Sequence, residues 1–135
     1  MPDSQATLFD RLGGRSQLLE LLTYFYADVR QHAEIAPIFA TYVKNWPAHI
    51  EMIADFWSGV TGGPVRFYGA QPFKHLPREL EECHFQAWLG LWSCHCTARL
   101  APAEAAEMIA AAETLAERLR QIVGVPSGAQ LATVP

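Results

Sequence analysis

Apolar positions recur along most of the chain at the three- and four-residue intervals of an amphipathic helix, and no stretch of useful length alternates with the two-residue period of a half-buried strand. The first helical stretch runs from Ser4 to Leu12, where Gly13-Gly14 stops it and Ser16 follows as a candidate cap for the next. That next helix is expected to reach about Gln31. Its stripe is Leu18, Leu22, Phe25, Tyr26 and Val29, at offsets 0, 4, 7, 8 and 11, so Tyr26 is predicted to point inward with the leucines. Pro37 interrupts the following segment and predicts a bend at Ile38-Phe39. Asn45-Trp46-Pro47 reads as a helix start, with proline tolerated in the first turn. His49, Ile53, Phe56, Trp57 and Val60 repeat the same offsets, which puts an imidazole on the buried face, where it needs a partner.

Between Thr61 and Pro77 the pattern breaks. Gly62-Gly63-Pro64, Gly69, Pro72 and Pro77 forbid a long helix, yet Phe67, Tyr68, Phe73 and Leu76 keep the stretch apolar, so it must cover something. His75 lies here between two prolines, in a segment with room for about one helical turn. A further helix is expected from about Arg78 to Leu100, with Phe85, Trp88, Leu89, Trp92 and Cys96 on one face. Pro102 opens the last one, whose inward face reads Met108, Ala112, Leu115, Leu119 and Ile122 and which Gly124 and Pro126 close. The expected class is all-α, with one domain over residues 1–124 and a flexible tail over 125–135.

Composition narrows the function. A chain of 135 residues, half of them hydrophobic, suits a single core that needs no metal or disulfide merely to fold. Ten basic against fourteen acidic side chains, a net charge of −4 and no run of either sign argue against a nucleic-acid partner. The apolar stretches are too short for a membrane helix, and no signal-peptide pattern is seen. Three cysteines, Cys83, Cys94 and Cys96, are an odd number for a disulfide framework; a cytoplasmic, reducing location is expected.

Most familiar chemistries find no footing. Cys94-His95-Cys96 does not suit zinc, because neighbouring helix positions diverge by about 100°. Cys-x-x-Cys-His, a phosphate-binding loop, a dinucleotide fingerprint and a nucleophile elbow are all missing. Glu79, Glu81 and Glu82 read as first-turn acids that favour the helix dipole. His32, His84 and His95 read as surface or boundary residues. What stands out is Tyr26, His49 and Trp88, each carrying a polar atom on an otherwise apolar face. Taken singly, each reads as a core residue bonded to a nearby carbonyl. Taken together they make a polar patch in an apolar pocket, with His75 available to supply a metal ligand from the opposite wall. A flat apolar cofactor with a central metal suits that set, and haem is the obvious candidate.

At the residues Phe25-Tyr26, Ala36-Pro37-Ile38-Phe39, Trp46-Pro47-Ala48-His49, Phe56-Trp57-Ser58-Gly59, Gly69-Ala70-Gln71-Pro72, Lys74-His75-Leu76 and Trp88-Leu89, the sequence resembles the truncated haemoglobins over about Leu8 to Val123. It looks most like their third group, although Gly13-Gly14 departs from that group's usual pattern. The resemblance implies a two-over-two helical sandwich around a non-covalent haem b (iron protoporphyrin IX). It implies His75 as the proximal iron ligand and Tyr26, His49 and Trp88 as the distal, functional residues. Phe39 and Ile53 match residues on the haem face, and Phe56, Trp57, Phe73 and Leu76 are expected to line the same pocket. Arg66 and Lys74 are candidates for the haem propionates.

The expected function is binding of dioxygen, nitric oxide, carbon monoxide or peroxide at a pentacoordinate-type iron. Two hydrogen-bond donors, at about 1.5–3 kcal/mol each for a charge-assisted bond, would slow oxygen escape by orders of magnitude and so favour redox chemistry over bulk transport. Nitric oxide dioxygenation or a peroxidase-like reaction would need an external reductase, since no flavin or nicotinamide motif is present. The alternatives are a gas sensor or ligand store, a bis-histidine electron carrier with His49 opposite His75, and a cofactor-free helical bundle.

Overall fold

The computed structural model describes residues 6–65 and 79–125, and among these all regular structure is helical. A five-residue helix, α1 (Leu8–Leu12), begins at Thr7, whose hydroxyl accepts the Asp10 N–H at 3.1 Å. It starts later than the expected Ser4, because Thr7 is extended and takes the cap position. Gly13 and Gly14 then turn the chain with φ of 102° and 81°, a left-handed region open to glycine. This places Gly14, not Ser16, at the cap of α2 (Arg15–Val29); Ser16 lies inside the helix. The stripe read from the sequence is buried in full, with Leu21 added to it.

Pro37 does not bend the chain as expected. It sits in the first turn of α3 (Ala36–Tyr42), where its missing N–H has no helical acceptor to lose. Helix α4 (Trp46–Val60) is capped by Asn45, whose side-chain oxygen accepts the Ala48 N–H at 3.0 Å. Helix α5 (Glu82–Arg99) starts four residues later than expected, and Glu79 therefore lies before it rather than in its first turn. Helix α6 (Pro102–Val123) ends at Gly124, with φ of 82°.

The helices form the two-over-two sandwich: α2 packs on α4, α5 packs on α6, and α2 crosses α5 to join the pairs. The core is the interface of these faces, filled by Phe25, Trp57, Trp92, Met108 and the α2 leucines. Trp92 stacks on Trp57 at 4.9 Å and donates its indole N–H to the Met108 carbonyl at 3.0 Å, so its polar atom is satisfied inside the core. Two expected core residues are not there. Val60 is 47% and Ile122 54% exposed, each on the outer side of its helix end, where the next residues, Thr61 and Val123, pack inward; Ala54 and Ser58 on α4, and Ala105 and Ala116 on α6, are buried in their stead.

Arg120 is buried on α6, where it holds Glu82 with two hydrogen bonds of 2.8 and 3.0 Å and lies over the Phe85 ring. These bonds hold the Glu82 carboxyl below its ordinary range. At the other end of the sandwich, Arg11 ties α1 to Glu104 and Glu107 of α6, and Arg15 pairs with Asp55 across α2 and α4.

Candidate functional site

The distal residues come from three helices that the fold brings to one place. Tyr26 lies on the last full turn of α2, Phe39 in the middle of α3, and Trp46 and His49 in the first turn of α4, held by the Asn45 cap and by Pro47. Their rings form a cluster. The Tyr26 ring centroid is 5.6 Å from His49, 6.0 Å from Phe39 and 5.5 Å from Trp46. Trp46 is 5.5 Å from His49 and stacks on Phe39 at 6.1 Å, and Phe39 approaches His49 at 6.5 Å.

One polar atom inside this cluster is left without a partner among the described residues: the Nε2 of His49 is buried and makes no hydrogen bond to them. Burial lowers the His49 pKa, because a charged imidazolium would lose its hydration there. The ring is thus neutral near pH 7, with one nitrogen free to act. Tyr26 is 4% exposed. Burial raises its pKa well above the ordinary phenol range, while a hydrogen bond with Trp88 pulls the other way. The hydroxyl accordingly stays protonated and remains a donor. Trp88 is partly buried and stacks parallel to Trp92 at 6.4 Å.

The structure therefore brings Tyr26, Phe39 and His49 together and sets Trp88 against Tyr26. Ile53, one turn beyond His49, is buried; Phe56 is partly buried beside Trp57, and Trp57 is in the core against Trp92. His75, Phe73, Leu76, Arg66 and Lys74 lie outside the described residues. Both approaches to that stretch are tied down within the described chain. The Ser58 hydroxyl donates to the Pro64 carbonyl at 2.8 Å, and the Tyr42 hydroxyl donates to the Glu79 carboxylate at 3.0 and 3.1 Å.

The match to known proteins gives the family. The family model for bacterial-like globins matches residues 7–124, nearly all of the described chain. The chain belongs to that family. Its fold is similar to that of a truncated hemoglobin from Tetrahymena pyriformis in the Fe(III) form, with a TM-score of 0.69 and 20% identity over 84% of this chain and 97% of that one. It is also similar to a cold-adapted truncated hemoglobin from the Antarctic marine bacterium Pseudoalteromonas haloplanktis, with a TM-score of 0.67 and 20% identity over 84% and 97% of the two chains. No curated protein sequence matches it.

The protein is thus a truncated globin that binds haem and small gaseous ligands such as oxygen. The described residues fit that group. A buried polar atom without a partner costs about 1–3 kcal/mol, and a ligand that the buried imidazole and phenol can meet removes the cost. In this globin, Trp46 is a member of the distal cluster; the sequence shows it as a helix start and as part of the Trp46-Pro47-Ala48-His49 resemblance, without a place in the pocket. Its contact with Arg30, sixteen positions earlier, has no sequence signal at all. Similarly, His95 is not a free boundary residue: its Nε2 meets the Asp28 carboxylate at 2.7 Å and its ring edge packs on Phe25 at 6.1 Å.

Proposed function

We propose that this globin binds diatomic ligands at a five-coordinate iron and uses them for redox chemistry, with Tyr26, His49 and Trp88 as the distal residues and His75 as the proximal ligand. The buried, partnerless Nε2 of His49 beside a buried, protonated Tyr26 is the observation that carries this reading. Haem b would be held without a covalent link among Phe39, Ile53, Phe56, Trp57, Phe73 and Leu76, with His75 as its protein ligand, and would supply an iron able to bind diatomic ligands. Tyr26 offers its O–H to a ligand that has drawn electron density, while Trp88, whose single N–H can only donate, gives it to the Tyr26 oxygen and so leaves that O–H to the ligand. Neutral His49 either accepts or donates with Nε2, depending on which ring nitrogen carries the proton. Phe39 and Trp46 keep bulk water from these donors, which strengthens each bond.

Such donors retain an anionic ligand and leave a neutral one unaffected, which favours turnover over release. Nitric oxide dioxygenation and peroxide reduction are the reactions of choice, with electrons from a separate reductase. Mixing the oxygenated ferrous protein with nitric oxide tests this: rapid formation of nitrate and ferric protein is expected, and slow decay without nitrate would contradict it. A second reading, an electron carrier with iron bound by His49 and His75, is favoured by a neutral His49 whose Nε2 has no partner among the described residues. It predicts a low-spin spectrum without added ligand that His49→Ala abolishes; the leading reading predicts a high-spin spectrum in both proteins.

Membership of the third group of truncated globins is part of the same proposal, supported by Trp46, His49, Phe56-Trp57 and Trp88-Leu89 in order. So is a globin domain spanning 1–124 with 125–135 as a tail, which the family match over 7–124 supports. Among the described residues no helix is long and apolar enough to cross a membrane. Three free thiols, Cys83 and Cys94 exposed and Cys96 buried, suit a reducing cytoplasm.

A further inference from the structure

Trp46 reaches from the inside of the distal cluster to its outside. One side of the indole meets buried Tyr26 and half-buried His49 and Phe39. Over the ring, 4.8 Å from its centroid, lies the guanidinium of Arg30, an exposed side chain at the C-cap of α2. Trp46 is the first residue of α4, next to the Asn45 cap, so no helical turn precedes it. The contact joins the end of one helix to the start of another. It is also separate from the proposed ligand donors, since neither Arg30 nor Trp46 is among them.

We propose that Trp46 is a movable wall of the distal pocket and that Arg30 is the latch that keeps it shut. The indole leaves its place only by giving up the cation–π contact, and its departure uncovers the side of the cluster where the Nε2 of His49 is buried. A small diatomic ligand then has a short path between solvent and the distal side. Arg30 and Trp46 are positioning residues in this scheme. They alter how often the path opens, whereas Tyr26 and Trp88 alter how tightly the ligand is held.

That division has a kinetic signature. A wall that opens for entry opens equally for exit, so weakening the latch speeds association and dissociation by one factor and leaves their ratio unchanged. An exposed cation–π contact of ordinary strength corresponds to about a two- to fivefold change in each rate.

The proposal rests on the globin reading for its ligand, and the test separates the two. Carbon monoxide association and dissociation are measured on the haem-loaded protein and on Arg30→Gln, a surface substitution that leaves the core intact. Both rates are expected to rise about two- to fivefold at constant affinity, with Arg30→Lys in between. In a Trp46→Leu background, Arg30→Gln should add nothing, because the latch has nothing left to hold. In the haem-free chain, hydrogen exchange at the Trp46 indole N–H, assigned by its loss in Trp46→Leu, should quicken in Arg30→Gln. Normal carbon monoxide spectra with unchanged rates, or a change in dissociation alone, would overturn the latch and leave the globin intact. Failure of both proteins to give a haem–carbon monoxide spectrum would contradict the globin reading, and the latch with it.

Discussion

Two aromatic groups in this small protein share phenylalanine and tryptophan and differ in what becomes of their polar atoms. In the core, Phe25 and Trp57 pack within 5.0 Å of Trp92, and the Trp92 indole N–H is spent on the Met108 carbonyl. In the distal cluster, Tyr26, Phe39, Trp46 and His49 pack at slightly longer distances, and the His49 Nε2 is buried with no partner among the described residues. The first arrangement is optimised for folding. The second gives up stability at a place where a ligand can recover it, which is how a binding site differs from a core of like composition.

The comparison can be broken first at Trp92. Replacing it with alanine removes a buried ring and its hydrogen bond, and should cost about 3–5 kcal/mol in denaturant unfolding of the haem-free chain. A loss under 1 kcal/mol would mean that this group is not the core. The opposite sign is expected in the distal cluster. His49→Leu removes an unsatisfied nitrogen at similar volume, so the haem-free chain should gain about 1 kcal/mol of stability or remain unchanged. A loss comparable to that of Trp92→Ala would show that His49 is held by a bond after all.

The smallest effect is in the pH dependence. The His49 pKa is lowered from 6.5 by burial, so below that value the unfolded chain takes up a proton that the folded chain refuses. His49 thus makes stability fall as pH drops from 6.5 toward its folded pKa and has no effect above this window. The fall should be shallower in His49→Leu, measured as unfolding free energy against pH. Identical slopes would mean that the imidazole is not buried in solution.

Much of the helical framework was readable because local chemistry decides it. The α2 stripe needs only its period, and the Asn45 cap with Pro47 needs only three adjacent residues. The errors have one origin. A repeating pattern gives a helix's inner face but not which residue the neighbouring elements reach at its end, so it puts Val60 and Ile122 in the core where Thr61 and Val123 pack inward. Pro37 was read as a break because its position in the first turn of α3 depends on where that helix begins. In the distal site, Tyr26 and His49 were legible as polar groups on apolar faces. The Arg30–Trp46 contact and the Asp28–His95 pair join residues whose closeness depends on helix packing, which no local pattern encodes.

The most direct test of the account compares oxygen with carbon monoxide release in the haem-loaded protein and in Tyr26→Phe. Loss of one donor to an anionic ligand, worth about 1.5–3 kcal/mol, should speed oxygen release by about tenfold to a hundredfold while carbon monoxide release changes little. Equal and unaltered release of both gases would contradict the claim that the buried phenol of this distal cluster faces the ligand.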